Sequence, residues 1–223
     1  MRIELAVLDM AGTTVVDDGL VIRAFDEAAT TVGLPADGPE RDAARRYVLD
    51  TMGQSKIEVF RALFGTEDRA REANAAFEKA YDEFVDGGVS PIDGAAEAIS
   101  RMRAAGVKVA LTTGFSPSTQ QRIIDGLGWQ DVADLVLAPG PGIRGRPHPD
   151  LVLTALMRSG LDDVRRVAVA GDTASDILCG LRAGAVVAAG VLTGAHDRAA
   201  LDAADATHVL GSIVELPDIV LAS

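Results

Sequence analysis

The sequence predicts an α/β protein: a doubly wound, Rossmann-like parallel sheet, interrupted after its first strand by an inserted α-helical domain. Three observations carry this. The apolar run at residues 5–8 is short, unbroken and followed by Asp9 and a turn, as expected of a parallel strand buried on both faces. Residues 20–87 then show no strand pattern and are rich in Ala, Glu and Arg. From residue 91 onward, apolar runs of strand length alternate with segments of helical period, the rhythm of βαβ units.

In the insert, Val21, Ile22, Phe25, Ala28, Ala29 and Val32 recur at helical spacing and stop at Gly33. A second helix is expected over 39–49, where Pro39 suits a first helical turn. A third starts near Ser55 and carries Ile57, Phe60, Leu63 and Phe64 on one face; a fourth, over 67–85, carries Ala73, Phe77, Ala80, Tyr81 and Phe84. Charged residues here, such as Arg41, Arg45 and Arg46, read most simply as a solvated helix face. The α/β rhythm then predicts helices over 95–105, 119–127, 149–159 and 175–183. Strands fall at 107–112, 135–138, 167–170, 186–190 and 207–210. A core at 1–15 and 91–223 and a helical domain at 16–90 follow, with Gly19 and Gly87-Gly88 as candidate hinges.

A chain of 223 residues is large for one compact core, which suits this division. Apolar residues at 48% and charged ones at 24% are ordinary for a folded, soluble chain. The net charge of −12 argues against nucleic acid or an anionic membrane as partner, so a phosphate-bearing ligand would need local cations or a metal. A single cysteine, Cys179, excludes an internal disulfide and suits a reducing compartment; with neither a signal-peptide pattern nor a bilayer-length apolar run, a cytoplasmic location is expected.

Candidate chemistry sits where strands end, which is where open α/β sheets bind ligands. Asp9 follows the first strand, and Gly12, Thr13 and Thr14 offer N–H and hydroxyl donors suited to oxyanions, so Asp9 is a candidate nucleophile or metal ligand. Thr112, Thr113 and Gly114 end another strand and can hold a phosphate oxygen. Asp172 could bind a hard cation such as Mg²⁺, with Asp176 one helical turn on; Asp172 or Ser175 would equally cap the following helix. Arg146 is a candidate phosphate cation. His148, His196 and His208 have no metal-ligand spacing and read as structural or exposed.

The order Asp9-x-Ala11-Gly12-Thr13, Thr113-Gly114, Arg146 and Gly171-Asp172-x-x-x-Asp176 resembles the haloacid dehalogenase superfamily of phosphotransferases, across essentially the whole chain. Typical phosphatases of that superfamily carry a second Asp two residues after the nucleophile; here Ala11 stands there and transfers no proton. Asp-x-Ala-Gly-Thr, Arg at the third motif and Met52-Gly53-Gln54-Ser55-Lys56 in the insert instead resemble the phosphonatase branch, whose lysine forms a Schiff base with the substrate carbonyl. Breaking a carbon–phosphorus bond requires an electron sink on carbon, which an iminium supplies, so the Lys56 amine must be neutral and its pKa must lie well below the ordinary value of about 10.4. Three positions depart from that branch: Val59 replaces a histidine, Gly19 and Leu20 occupy the region of a cysteine, and Phe115 replaces a tyrosine. These departures favour a relative acting on a related 2-oxo phosphonate, or one with altered chemistry.

The resemblance therefore implies a Mg²⁺-dependent hydrolase with Asp9, Lys56, Thr113 and Arg146 as catalytic residues. Gly12, Thr13, Met52 and Gly114 would bind substrate. Mg²⁺ would be held by Asp9, the Ala11 carbonyl and Asp172, supported by Asp176. The expected partner is a small phosphonate or phosphate, with a homodimer formed through the insert. The first rival expectation is a phosphomonoesterase of the phosphoglycolate-phosphatase type; the second is a catalytically silent binding protein that keeps the fold.

Overall fold

The structure, a computed structural model, describes residues 2–222. Its sheet has six parallel strands: β1 (Leu5–Asp9), β2 (Lys108–Thr112), β3 (Leu135–Leu137), β4 (Val167–Gly171), β5 (Val187–Val191) and β6 (His208–Leu210), in the order β3-β2-β1-β4-β5-β6. From β1 the chain builds outward to β3 and then crosses to β4 on the other side of β1. The switch point thus lies between β1 and β4, where such sheets open a crevice. Asp9 pairs with Thr112 and Leu8 with Ala170, so Asp9, Thr113 and Asp172 emerge at the same sheet edge. β1 alternates between the two faces: Ala6 and Leu8 join one apolar cluster, Leu5 and Val7 the other. That two-sided burial explains why its sequence is uniformly apolar.

The insert comprises α1 (Leu20–Thr31), α2 (Pro39–Asp50), α3 (Lys56–Phe64) and α4 (Glu67–Asp86). Its centre is aromatic: Phe60 lies 6.3 Å from Phe25, 6.0 Å from Phe64 and 5.9 Å from Phe77, centroid to centroid. Phe115, from the loop after β2, extends this cluster across to the sheet, 6.2 Å from Phe77 and 4.4 Å from Tyr81. Insert and sheet therefore share apolar surface directly beside the crevice.

The remaining helices are α5 (Ala95–Ala104), α6 (Pro117–Leu127), α7 (Asp150–Arg158), α8 (Ala174–Ala183), α9 (Arg198–Ala203) and α10 (Leu216–Leu221). α6 starts two residues earlier than its periodicity indicates, because the Ser116 hydroxyl accepts from the Thr119 N–H and Pro117 occupies the first turn. The short α9 and α10 are additions to the sequence reading; six residues are too few to display a helical period. No helix among the described residues is long and apolar enough to cross a membrane.

One reading of the insert is corrected. Arg41 is not on a solvated face; it is 1% exposed. Its Nε donates to the Pro35 carbonyl at 2.7 Å, Nη1 to that of Asp26 at 2.9 Å, and Nη2 to Thr30 Oγ1 at 2.9 Å and the Leu34 carbonyl at 3.3 Å. Arg41 shares its face with Ala44 and Val48, three and seven residues on, so it turns inward with them and serves carbonyls at the end of α1. Arg45 is half-exposed and pairs with Asp26 at 2.8 Å, while Arg46 is exposed as expected.

Candidate active site

Asp9, the last residue of β1, is buried at the crevice floor. Arg146 Nη1 lies 2.6 Å from Asp9 Oδ1 and 2.8 Å from Asp176 Oδ1, and its Nη2 donates to Thr112 Oγ1 at 2.8 Å. Thr112 thus orients the guanidinium, a part that sequence reasoning did not assign to it. Asp172, just past β4, accepts from Thr13 Oγ1 at 3.2 Å and from the Ala195 N–H at 2.7 Å. Asp176 lies in the first turn of α8 in a capping box with Thr173: its Oδ2 accepts the Thr173 N–H at 3.1 Å and hydroxyl at 2.5 Å. Thr113 is buried beside the crevice, its Oγ1 accepting the Phe115 N–H at 3.2 Å. Gly12 has a φ of +83°, and a Cβ there would lie 2.5 Å from Asp172 Oδ2, so both backbone conformation and space require glycine.

Asp9, Asp172 and Asp176 each present an oxygen within 4.8 Å of the others. Three buried carboxylates face one guanidinium, and the electrostatics record that imbalance. Burial, then Asp9 and Asp176, push Asp172 well above the usual carboxylate range. Burial and Asp9 raise Asp176 to about 6 against the opposing pull of Arg146. Burial alone would weaken the charge on Arg146, but Asp176 and Asp9 hold it more firmly protonated than usual. An oxygen-only, acid-rich cluster fits a hard divalent cation. Asp176 is held by Arg146 and Thr173 away from the cavity lining, whereas Asp9 and Asp172 both line the cavity and are the carboxylates placed for direct ligation.

A cavity of about 340 Å³ opens over this floor, lined by Asp9, Ala11, Met52, Gly53, Thr113, Gly114, Arg146 and Asp172. Lys56, the first residue of α3, reaches it from the insert. Its amine lies 5.4 Å from the Phe115 ring centroid and 5.9 Å from that of Phe77. Burial, assisted by Arg146, lowers its pKa to about 8 although Asp17, Asp9 and Asp172 pull the other way. The turn carrying Lys56 is seated tightly: its N–H donates to the Gly114 carbonyl at 3.3 Å, and a Cβ on Gly114 would lie 2.5 Å from the Gln54 carbonyl oxygen.

The catalytic, substrate-binding and metal-binding residues singled out from sequence therefore surround one crevice. The sequence reading missed Asp17, Thr173 and the Thr193–Ala195 loop, which also line it. Thr193 Oγ1 donates to the Gly12 carbonyl at 2.7 Å. The loop's position after a strand's carboxyl end was the available signal. His196 bridges the two parts of the chain, its Nδ1 accepting the Ala174 N–H at 3.0 Å and its Nε2 lying 3.3 Å from the Leu49 carbonyl. Cys179 is buried, and burial pushes its thiol up to about 12, so it stays protonated.

Comparison with known proteins gives the family. The family model of haloacid dehalogenase-like hydrolases matches residues 3–184. The chain belongs to this family. Among curated relatives of this hydrolase, a phosphonoacetaldehyde hydrolase of Bacillus cereus is 30% identical over 216 residues, covering 88% of this chain and 78% of that protein. The probable phosphatase IndB of Dickeya dadantii is 26% identical over 219 residues, covering 95% and 91%. Among solved structures, a phosphonoacetaldehyde hydrolase-like protein from Oleispira antarctica superposes with a TM-score of 0.85 at 22% identity, covering 100% of this chain and 92% of that one. At that identity the likeness concerns the fold.

Proposed function

We propose that this hydrolase cleaves the carbon–phosphorus bond of a small 2-oxo phosphonate, of the phosphonoacetaldehyde kind, through a Lys56 Schiff base and a phosphoryl group carried on Asp9. The observation that carries the reading is the Lys56 amine, drawn down toward neutrality by burial, in the same cavity as Asp9. Ala11 supports it, because the position that would protonate an alcohol leaving group holds a methyl. Similarity to phosphonoacetaldehyde hydrolases points the same way.

In this reading the helical unit at 16–90 acts as a cap over a core of 1–15 and 91–223, and substrate enters between them. The neutral Lys56 amine condenses with the carbonyl, water leaves, and an iminium forms next to the carbon–phosphorus bond. An Asp9 carboxylate oxygen attacks phosphorus in line; the breaking bond's electron pair moves into the iminium to give an enamine, and phosphorus stays on Asp9 as an acyl phosphate. Water then hydrolyses both covalent links, freeing Asp9 and Lys56. Arg146, Thr113, Gly114 and the N–H groups of Gly12 and Thr13 hold the phosphoryl oxygens while charge develops on them. Met52 closes the apolar side of the cavity. Asp9, the Ala11 carbonyl and Asp172 would hold Mg²⁺, with Asp176 fixing Arg146; bound there, the ion neutralises phosphoryl charge and lets a carboxylate approach it.

The test is reduction with sodium borohydride in the presence of phosphonoacetaldehyde. A mass adduct on Lys56, absent in Lys56→Arg together with phosphate release, is the expected result. Unchanged phosphate release by Lys56→Arg from phosphate esters, with no adduct in the unmodified enzyme, would favour the phosphomonoesterase rival.

A further inference from the structure

Asp17 lies where the chain passes from sheet to insert, two residues after Val15, which bridges to Pro91, and three before α1. It lines the cavity that holds Asp9 and Lys56. Its carboxylate meets the Tyr81 hydroxyl and the Gly19 and Val21 amides, but its Oδ1 is buried and has no hydrogen-bond partner, a costly position for a carboxylate oxygen. Among the described residues the Lys56 amine has no ion-pair partner either, and it stands against aromatic rings. Yet each is the other's strongest charged neighbour. The two groups therefore line the same cavity, close enough for each to act on the other's charge but not in an ion pair.

Asp18 also lines the cavity, but it is exposed and is not among the charges that act on Lys56. Val59, one turn after Lys56, and Phe115 are both buried and apolar. Tyr81 lies beside Asp17, but burial first, and then the charges of Asp17 and Asp9, push its phenol well above the ordinary range, so it keeps its proton. The other charged groups bearing on the pair are Asp9, Arg146 and Asp172. Asp9 and Arg146 already engage each other.

We propose that Asp17 is the proton carrier for the condensation at Lys56, taking protons from the lysine nitrogen and delivering them to the substrate's carbonyl oxygen. This rests on the Schiff-base reading above. The step balances without an outside acid. Asp17 carboxylate first takes one proton from the Lys56 ammonium; the freed amine bonds to the carbonyl carbon, and the oxygen receives that proton as the carbonyl π bond breaks. Asp17 then takes a second proton from the now-cationic nitrogen and passes it to the hydroxyl, which departs as water while the nitrogen lone pair forms the iminium. One ammonium and one carbonyl become one iminium and one water, and Asp17 ends as it began. Burial raises the affinity of Asp17 for a proton while lowering that of Lys56, bringing donor and acceptor closer together. Lys56 opposes the rise at Asp17, as do the Val21 and Gly19 amides.

The experiment is the rate of borohydride trapping with phosphonoacetaldehyde in the full-length chain, unmodified and as Asp17→Asn. General acid–base assistance contributes on the order of 10²–10⁴, so trapping in Asp17→Asn should slow at least about 100-fold with an unchanged melting temperature. The pH dependence separates this role from a structural one. Between about pH 6.5 and 7.5 the unmodified rate should change less than about twofold, because the ammonium's own protons are recycled; Asp17→Asn should rise more steeply, by several-fold, since only amine already neutral reacts, and by less than tenfold because losing the carboxylate that holds the Lys56 pKa up lowers that pKa further. Asp17→Glu, which keeps the acid, should recover part of the rate. If Asp17→Asn fails to melt cooperatively, Asp17→Ser deletes the same carboxyl and is read the same way. An adduct that forms as fast without the Asp17 carboxyl as with it overturns the proposal and leaves the Schiff base intact. No adduct in the unmodified enzyme overturns the Schiff base itself.

Discussion

At Lys56, sequence type and local environment pull in opposite directions. A lysine at the start of a helix is ordinarily solvated, but here aromatic rings wall the amine and burial lowers its pKa to about 8. The neutral, nucleophilic form grows as pH rises, so at pH 7 roughly a tenth of Lys56 is neutral, against fewer than about one in a thousand of ordinary lysines. Acylation by dilute acetic anhydride, followed by peptide mass mapping, should therefore show Lys56 modified with a midpoint near pH 8 while exposed Lys79 follows the usual lysine range. A Lys56 midpoint near that of Lys79 would remove the ground for its chemistry. Ala11 works by what it lacks, and that was readable from sequence because a methyl offers no proton in any fold. Asp17 was not readable: its significance lies in an unpartnered oxygen, which only the folded surroundings reveal.

Among the elements, the turn before α3 decides whether the two halves of the site meet. Met52 and Gly53 belong to the insert, yet Gly53 sits against Thr173, and Gly114 of the sheet sits under the Gln54 carbonyl. Gly114→Ala should force the turn outward, since its methyl would lie 2.5 Å from a backbone oxygen that cannot rotate away. Misplacing a catalytic group by about 1 Å costs on the order of 100-fold, so phosphonate cleavage should fall by that factor, while unfolding in urea should show an overpacking cost of about 1–3 kcal/mol that leaves the chain folded. Full activity in Gly114→Ala would show that Lys56 need not be held here. Long helices were legible in the sequence because their apolar faces repeat over several turns. Arg41 was misread because its charge suggests water, whereas the face it shares with Ala44 and Val48 turns it toward the free carbonyls around the end of α1.

Across the whole molecule, a strongly acidic chain gathers three carboxylates around one arginine at the sheet's switch point. That cluster is costly without a cation, because burial in like-charged company disfavours ionisation. Mg²⁺ should relieve it. A ligand present at 100 times its Kd stabilises by about 2.7 kcal/mol, which for a chain of this size corresponds to a rise of roughly 5–10 °C in melting temperature. Calorimetry with and without Mg²⁺ measures this, and Asp172→Asn should abolish the shift; a melting temperature indifferent to Mg²⁺ would argue against the metal assignment. Chelation should remove hydrolysis in parallel.

The alternation of strands and helices, the helical insert and the residues at strand ends were determined by sequence alone, because local periodicity and the placement of Gly, Thr and Asp at turns carry them. Tertiary structure decided which side chains share one cavity. It brought Lys56 from the insert to Asp9, gave Thr112 the task of aiming Arg146, and left one oxygen of Asp17 without a partner. Each of these depends on residues far apart in the chain, and burial, which changes the charge a group carries, exists only once the chain has closed around it.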